Sequence, residues 1–151
     1  WPCSGAGVLV AAGPADAELW RGVHNMVIPT APLSLDDVLA RSRVNRLELA
    51  YDGGVLVGCS TVRPATDKDP VTVIVRILPE HRRRGLGTAY LAHLLDAARG
   101  LGADVVQTIV LESNVDGLEF ALHRGFAESE RYVLDGDTVA YVHLVRALAE
   151  G

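Results

Sequence analysis

Residues 71–90, VTVIVRILPEHRRRGLGTAY, decide how this chain of 151 residues is read. An apolar run rich in β-branched residues, Val71 to Leu78, breaks at Pro79, passes through Arg82, Arg83 and Arg84, and reaches Gly85-Leu86-Gly87 before a new apolar period begins. That order is strand, glycine-bearing turn, helix. Such a turn suits an anion, because the first turn of a helix leaves N–H groups without intrahelical partners and carries the positive end of the helix dipole. Glycine lets the backbone approach a phosphate closely, and three arginines add fixed charge with several donors each, so a diphosphate is the natural ligand. Two nucleotide signatures do not fit. There is no Lys followed by Ser or Thr after the second glycine, and Thr88-Ala89-Tyr90 stands where a third glycine would be needed.

The stretch resembles the GNAT superfamily of acetyl-CoA-dependent N-acetyltransferases. Their signature is a valine-like residue two before a proline, then Gln or Arg, two residues, Gly, any residue, and Gly or Ala; Ile77-Leu78-Pro79 and Arg82 to Gly87 fit it in full. A second anchor is the segment that runs Asn, eleven residues, then Phe, with Gly just before that Phe, which Asn114, Gly125 and Phe126 keep. The resemblance implies an α/β fold (α+β) with a mixed, mostly antiparallel seven-stranded sheet, helices on both faces and a splayed central strand pair. It implies acetyl-CoA as the cofactor, its pyrophosphate held by turn amides from Arg83 to Thr88. Ile77, Arg82, Arg83, Arg84, Gly85, Leu86, Gly87, Thr88 and Asn114 are its expected contacts, with the main chain near Ile77 meeting the acetyl carbonyl. Asn114 is read either as a contact to the pantetheine arm or as a helix cap.

The implied reaction is transfer of an acetyl group to a primary amine by direct attack on the thioester. The family commonly places a Tyr five residues before that Phe, where its hydroxyl protonates the departing thiolate; here the position is Ala121. A thiol of pKa near ~8.5 leaves tolerably without a donor. His123, Tyr132 and Tyr90 are the other donors considered, with His123 expected to point away. Glu112, at the end of a strand lining the cleft, is the expected base. Glu48 and Arg76 are further cleft candidates, Arg76 as a contact to a substrate carboxylate. The rival reading is a non-catalytic acyl-CoA-binding domain, one half of a tandem protein. A dinucleotide-binding domain is disfavoured, because the turn comes mid-chain and lacks the third glycine.

Length suits one domain spanning 1–151. Hydrophobic content of 49% with 22% charged residues fits a soluble globular protein, and a net charge of −5 argues against nucleic acid as a partner. An amine-bearing small molecule or peptide is the expected acceptor, and an open sheet edge suits a homodimer. Cys3 and Cys59 do not read as a disulfide framework, no metal-ligand spacing is present, and no run approaches a membrane span or a secretory leader, so a cytoplasmic protein is expected.

Outward from the central stretch, Val8 to Ala12 reads as a first strand. Pro14 and Asp16 open a helix through Leu19, Trp20, Val23 and Val27, and Ser34 caps a second helix to about Ser42. His24 reads as a surface or partly packed residue. Leu47 to Tyr51 and Val55 to Val62 form a hairpin across Asp52-Gly53-Gly54, and Pro64 to Pro70 is a loop. The helix after the central turn carries Tyr90, Leu91, Leu94 and Leu95 on one face, leaves His93 solvated, and stops at Gly100 and Gly102. Val105 to Leu111 is the next strand, a short helix follows Asn114, and Glu128 to Leu134 with Thr138 to Leu148 close the sheet.

Overall fold

The computed structural model describes residues 7–11, of which the backbone alone, and 16–29, 32–81, 85–136 and 138–148. Cys3, the expected helix opening at Pro14 and the arginines Arg82, Arg83 and Arg84 lie outside the described residues. The elements in chain order are β1 (Gly7–Ala11), α1 (Ala17–Val27), α2 (Leu35–Ser42), β2 (Arg46–Asp52), β3 (Val55–Arg63), β4 (Val71–Ile77), a short 3-10 turn (Pro79–His81), α3 (Leu86–Gly100), β5 (Val105–Leu111), α4 (Val115–His123), β6 (Ala127–Tyr132) and β7 (Tyr141–Ala147). This is the order read from the sequence. The closing strands are shorter than expected, because residues 133–136 and 138–140 lie outside the ladder.

The strands form one sheet of seven, ordered β1-β2-β3-β4-β5-β7-β6. Hairpin and meander connections make the neighbours antiparallel, except where α3 crosses from β4 to β5 and returns the chain in the same direction. Alternation along the strands then sorts two cores. Ala50, Val73, Ile77 and Val106 face Tyr90, Leu91, Leu94 and Leu95 of α3 and Ala121 of α4, while Leu47, Leu49 and Cys59 face Trp20 and Val23 of α1 and Val38 of α2. Local signals agree with this packing. Ser34 and Asp37 form a reciprocal capping box at the start of α2. The hairpin β2–β3 turns on Gly53 and Gly54, both at positive φ.

Two irregularities shape the middle of the sheet. Between β4 and β5 the ladder consists of Val71↔Val106 and Thr72↔Gln107 alone, so the two strands separate over the rest of their length. On the other side of β4, the β2–β3 register shifts at Ala50/Tyr51, leaving Val57 as the extra residue of a bulge. Gly58 follows it and pairs with Ile77. The amide of Leu78 donates to the Val57 carbonyl at 2.8 Å, so by antiparallel alternation the Ile77 amide points away from β3, toward the opening beside β5.

Candidate active site

The separation of β4 and β5 is the floor of a cleft of about 320 Å³. Val75, Arg76 and Ile77 form one wall, Gly85, Gly87 and Thr88 the next, and Asn114 with Gly117, Phe120, His123 and Arg124 the third. A smaller inner chamber continues between the strands, reaching Val73, Thr108, Val110 and Ala121, with Val27 and Ile28 at the end of α1 on its other side. Of the residues expected to hold acetyl-CoA, Ile77, Gly85, Gly87, Thr88 and Asn114 are thus brought to one cleft. Leu86 instead packs against the core beneath α3.

The opening of α3 is built for a ligand with negative charge. Its N-cap is Gly85 at φ 76°, and no side chain caps the helix, so the first-turn amides have no partner from within the helix. A Cβ on Gly85 would meet nothing within 4 Å, whereas one on Gly87 would meet the Phe120 ring at 3.3 Å. The left-handed conformation therefore selects glycine at 85, while at 87 a side chain would press against the Phe120 ring of α4.

Across the cleft, Arg124 donates to the Thr88 hydroxyl from Nη2 at 2.7 Å and from Nε at 3.1 Å, and its guanidinium lies 5.2 Å from the Phe120 ring centre. This arginine was not singled out in the sequence. It follows the helix as the C-cap of α4, and no spacing pattern reveals that its side chain reaches α3.

At the other end of α4, Asn114 is the N-cap, its Oδ1 accepting from the Gly117 amide at 3.0 Å, while the residue also lines the cleft. The capping geometry is present and leaves the side chain at the wall. Gly125 and Phe126, part of the second anchor, have a mechanical explanation. The Phe126 amide donates to the Ala121 carbonyl at 3.1 Å and the Gly125 amide to that of Leu122 at 3.3 Å, with Gly125 at φ 87°. That is a Schellman closure, and it drives Phe126 into the core.

Several expectations need correction. Glu112 does not line the cleft; it is exposed and ion-paired with Arg131 at 3.2 Å, because the strand end carries it outward beside β6. His123 does not point away: α4 presents Phe120, His123 and Arg124 on one stripe, and that stripe faces the cleft. Ala121 is not part of that stripe; it is buried at 3% exposure and borders the inner chamber. Tyr90 is sealed beneath α3, donating to the Ser60 hydroxyl at 2.8 Å. Tyr132 pairs with His143 Nε2 at 2.9 Å, away from the cleft lining. Glu48 is buried under α3, its Oε2 3.3 Å from Arg46 Nη2 and 3.8 Å from His93 Nε2. His93 keeps an exposed edge but turns its buried Nε2 toward that carboxylate.

Arg76 and His24 share a layered stack. The Arg76 guanidinium lies 5.3 Å from the Trp20 ring centre, and the His24 ring stacks on Trp20 at 5.5 Å. His24 is buried, not at the surface. Asn25 uses its Nδ2 to donate to the Leu33 carbonyl and its Oδ1 to accept from the Leu33 amide. Oδ1 is therefore an acceptor toward His24 Nδ1, 2.9 Å away, which places the imidazole proton on Nδ1.

Burial, and next the charge of Arg76, push the His24 pKa from 6.5 down to about 4. Between those two values the unfolded chain binds a proton that the folded chain refuses, so stability is lost as pH falls through that window. The full shift corresponds to about 3 kcal/mol, or about 2 kcal/mol after allowance for partial solvent screening. Unfolding free energies from urea titrations at about pH 7 and pH 4.5 are expected to differ by that much more in the parent than in His24→Gln. Equal pH slopes in the two proteins would contradict the assignment.

A profile of the Acetyltransferase (GNAT) family matches residues 22–126. Among solved structures, Ard1 from Thermoplasma volcanium superposes with a TM-score of 0.80 at 18% identity, covering 96% of this chain and 99% of that one. The ribosomal-protein-S18-alanine N-acetyltransferase from Escherichia coli gives 0.77 at 16% identity, covering 96% of each chain. The yncA protein of Salmonella typhimurium, solved with its cofactor acetyl-CoA, gives 0.73 at 20% identity over 97% of this chain and 96% of that one. No curated protein sequence matches the chain. A family match over well over half the length, on a sheet that parts between β4 and β5 above an uncapped helix start, carries one conclusion: the chain belongs to the GNAT acetyltransferase family.

Proposed function

We propose that this protein transfers an acetyl group from acetyl-CoA to the primary amine of a small-molecule or peptide acceptor by direct attack on the thioester. The observation that carries the reading is the loss of β4–β5 pairing beyond Thr72↔Gln107, which opens the sheet at the place where the α3 amides and the β4 main chain meet. The residues fit the cofactor. The open surroundings of Gly85 leave room for a diphosphate over the first turn of α3, and the gap between the strands accepts a narrow pantetheine arm beside Asn114.

When bound, acetyl-CoA supplies an electrophilic carbonyl and a thiolate leaving group. The first-turn amides of α3 and the guanidinium of Arg124 hold its phosphate end. The Ile77 amide, directed into the opening, donates toward the acyl oxygen, where negative charge grows as the amine attacks; fixed main-chain donors of this kind need no reorganisation. Proton transfer from the amine falls to ionisable groups on the cleft wall, His81, Asp116, Glu119 and His123, in place of Glu112. With Ala121 where the family commonly has Tyr, the sulfur would leave as thiolate, a tolerable leaving group without a proton donor.

A second reading, acyl-CoA binding without turnover, draws on the buried Ala121 alone. Release of free thiol from acetyl-CoA, measured with polyamines, aminoglycosides, amino acids and peptide N-termini, separates the two. Turnover above the hydrolysis background with one acceptor class is the expected result. Tight coenzyme A binding with no turnover across the panel would establish the second reading instead.

A further inference from the structure

Arg76 is a cation buried without an anion among the described residues. Its exposure is 5%. Nη1 donates to the Thr61 hydroxyl at 3.1 Å and lies 4.0 Å from the Cys59 sulfur, the Trp20 ring covers the guanidinium plane, and Nε has no hydrogen-bond partner. No carboxylate among the described residues forms an ion pair with it; Glu48 pairs with Arg46 and Glu112 with Arg131. Its charge acts on Arg63 together with that of Arg41, and on His24. A buried guanidinium with an orphaned donor carries a large desolvation penalty, and removing an unpaired charge from such a place ordinarily stabilises a protein. A charge kept there lacks a partner that has yet to arrive.

The place of arrival is the cleft. Arg76 lines both its chambers and immediately precedes Ile77, whose amide serves the acyl group on the reading above. Strand alternation puts its side chain on the α1 face, where Val27 and Ile28 line the inner chamber. The diphosphate, held at the opening of α3, lies against the opposite face of β4 and does not answer the Arg76 charge. The anion must therefore belong to the acceptor.

We propose that the acceptor is a small amino acid-like amine, and that Arg76 binds its carboxylate and so sets the amino group against the thioester. The assignment deepens the transferase reading and rests on it. A chain whose net charge is −5 thus presents a cationic acceptor site, which selects against polyamines and other cations.

Two measurements test it. Thiol release is compared for amino acids and for their carboxamides at equal concentrations of unprotonated amine, since loss of the carboxylate also lowers the basicity of the α-amine. In the parent, kcat/KM for the best amino acid is expected to exceed that of its carboxamide by about 100-fold, the range for a buried hydrogen-bonded charge pair. In Arg76→Gln the preference collapses toward one, and Arg76→Lys restores part of it.

The second measurement needs no turnover. Titration of N-acetyl amino acids, and separately of their carboxamides, into protein saturated with coenzyme A is expected to show binding of the carboxylates only. Melting temperatures guard against misfolding: Arg76→Met, neutral and similar in length, is expected to melt no lower than the parent, whereas a merely structural arginine would make it melt lower. Equal binding of carboxylate and carboxamide, or turnover confined to carboxamides or polyamines, overturns the Arg76 assignment while leaving the transferase intact. Failure to bind coenzyme A at all removes both.

Discussion

Gly58→Val is expected to lower the melting temperature by about 10 °C and to reduce acetyl transfer by at least about 100-fold. A Cβ at position 58 would stand 2.3 Å from the Arg76 carbonyl oxygen, 3.0 Å from Ile77 Cδ1 and 3.4 Å from the Arg76 carbonyl carbon. The first of these contacts is with main chain, so no rotamer relieves it. β3 cannot step aside, being paired on both edges, with β2 and with β4, and the bulge beside Ala50 already absorbs one residue of mismatch; the strain therefore falls on β4, whose other edge has no β5 partner at Arg76 and Ile77.

Overpacking of a rigid site costs about 3 kcal/mol, and in a chain of this size each kcal/mol moves the midpoint by about 2–4 °C. The same displacement moves the peptide that carries the Ile77 amide, so activity should fall further than folded fraction alone would require. Gly58→Ala, which adds the offending atom and nothing more, should show most of the thermal effect. Gly22→Ala in α1, where a Cβ meets nothing within 4 Å, should instead gain up to about 1 kcal/mol. If Gly58→Ala melted within about 2 °C of the parent, the close approach of β3 to β4 would be wrong, and with it the geometry of the acyl site.

The difference between Gly58 and the glycines of the α3 turn shows where sequence reading succeeds. Gly85 stands in a local pattern: a strand ends, basic residues follow, a helix begins, and the left-handed φ is a property of a few consecutive residues. Asn114, Gly125 and Phe126 were legible for the same reason, since a cap and a Schellman closure are both contained within one short helix. The element order and the mixed sheet followed from periodicity and the hairpin turns.

Gly58 lies inside an apolar run and looks like any strand residue; its necessity comes from Arg76, on another strand. Arg124 reaching Thr88, His93 lying against Glu48, and the orphaned Nε of Arg76 are likewise facts about partners far away in the chain. Glu112 failed in the opposite direction. Its position at a strand end near Asn114 was read correctly, but which side of the strand it would take depends on Arg131 of β6, and nothing in the spacing encodes that.

Thr88→Glu is expected to move stability and ligand affinity in opposite directions. Thr88 is the third residue of α3 and its hydroxyl accepts both donors of Arg124. A carboxylate in the first turn meets the positive end of the helix dipole and gains an ion pair with Arg124, so the free protein should become more stable by about 0.5–1 kcal/mol. The same carboxylate would neutralise the arginine and stand where the diphosphate belongs. Two like charges about 6 Å apart at an effective dielectric near 20 repel by about 3 kcal/mol, which is about 100-fold in affinity for acetyl-CoA. Repulsion of this origin is screened, so raising the salt to about 1 M should recover part of the loss. Thr88→Val, which removes the hydroxyl and frees Arg124 without adding charge, should weaken binding by less than about tenfold. Calorimetric titration of acetyl-CoA into the three proteins, beside their melting curves, reads both quantities at once. A Thr88→Glu protein that bound acetyl-CoA within about threefold of the parent would place the diphosphate away from α3, because no ligand bearing that charge could ignore a carboxylate set into the ring of amides that holds it.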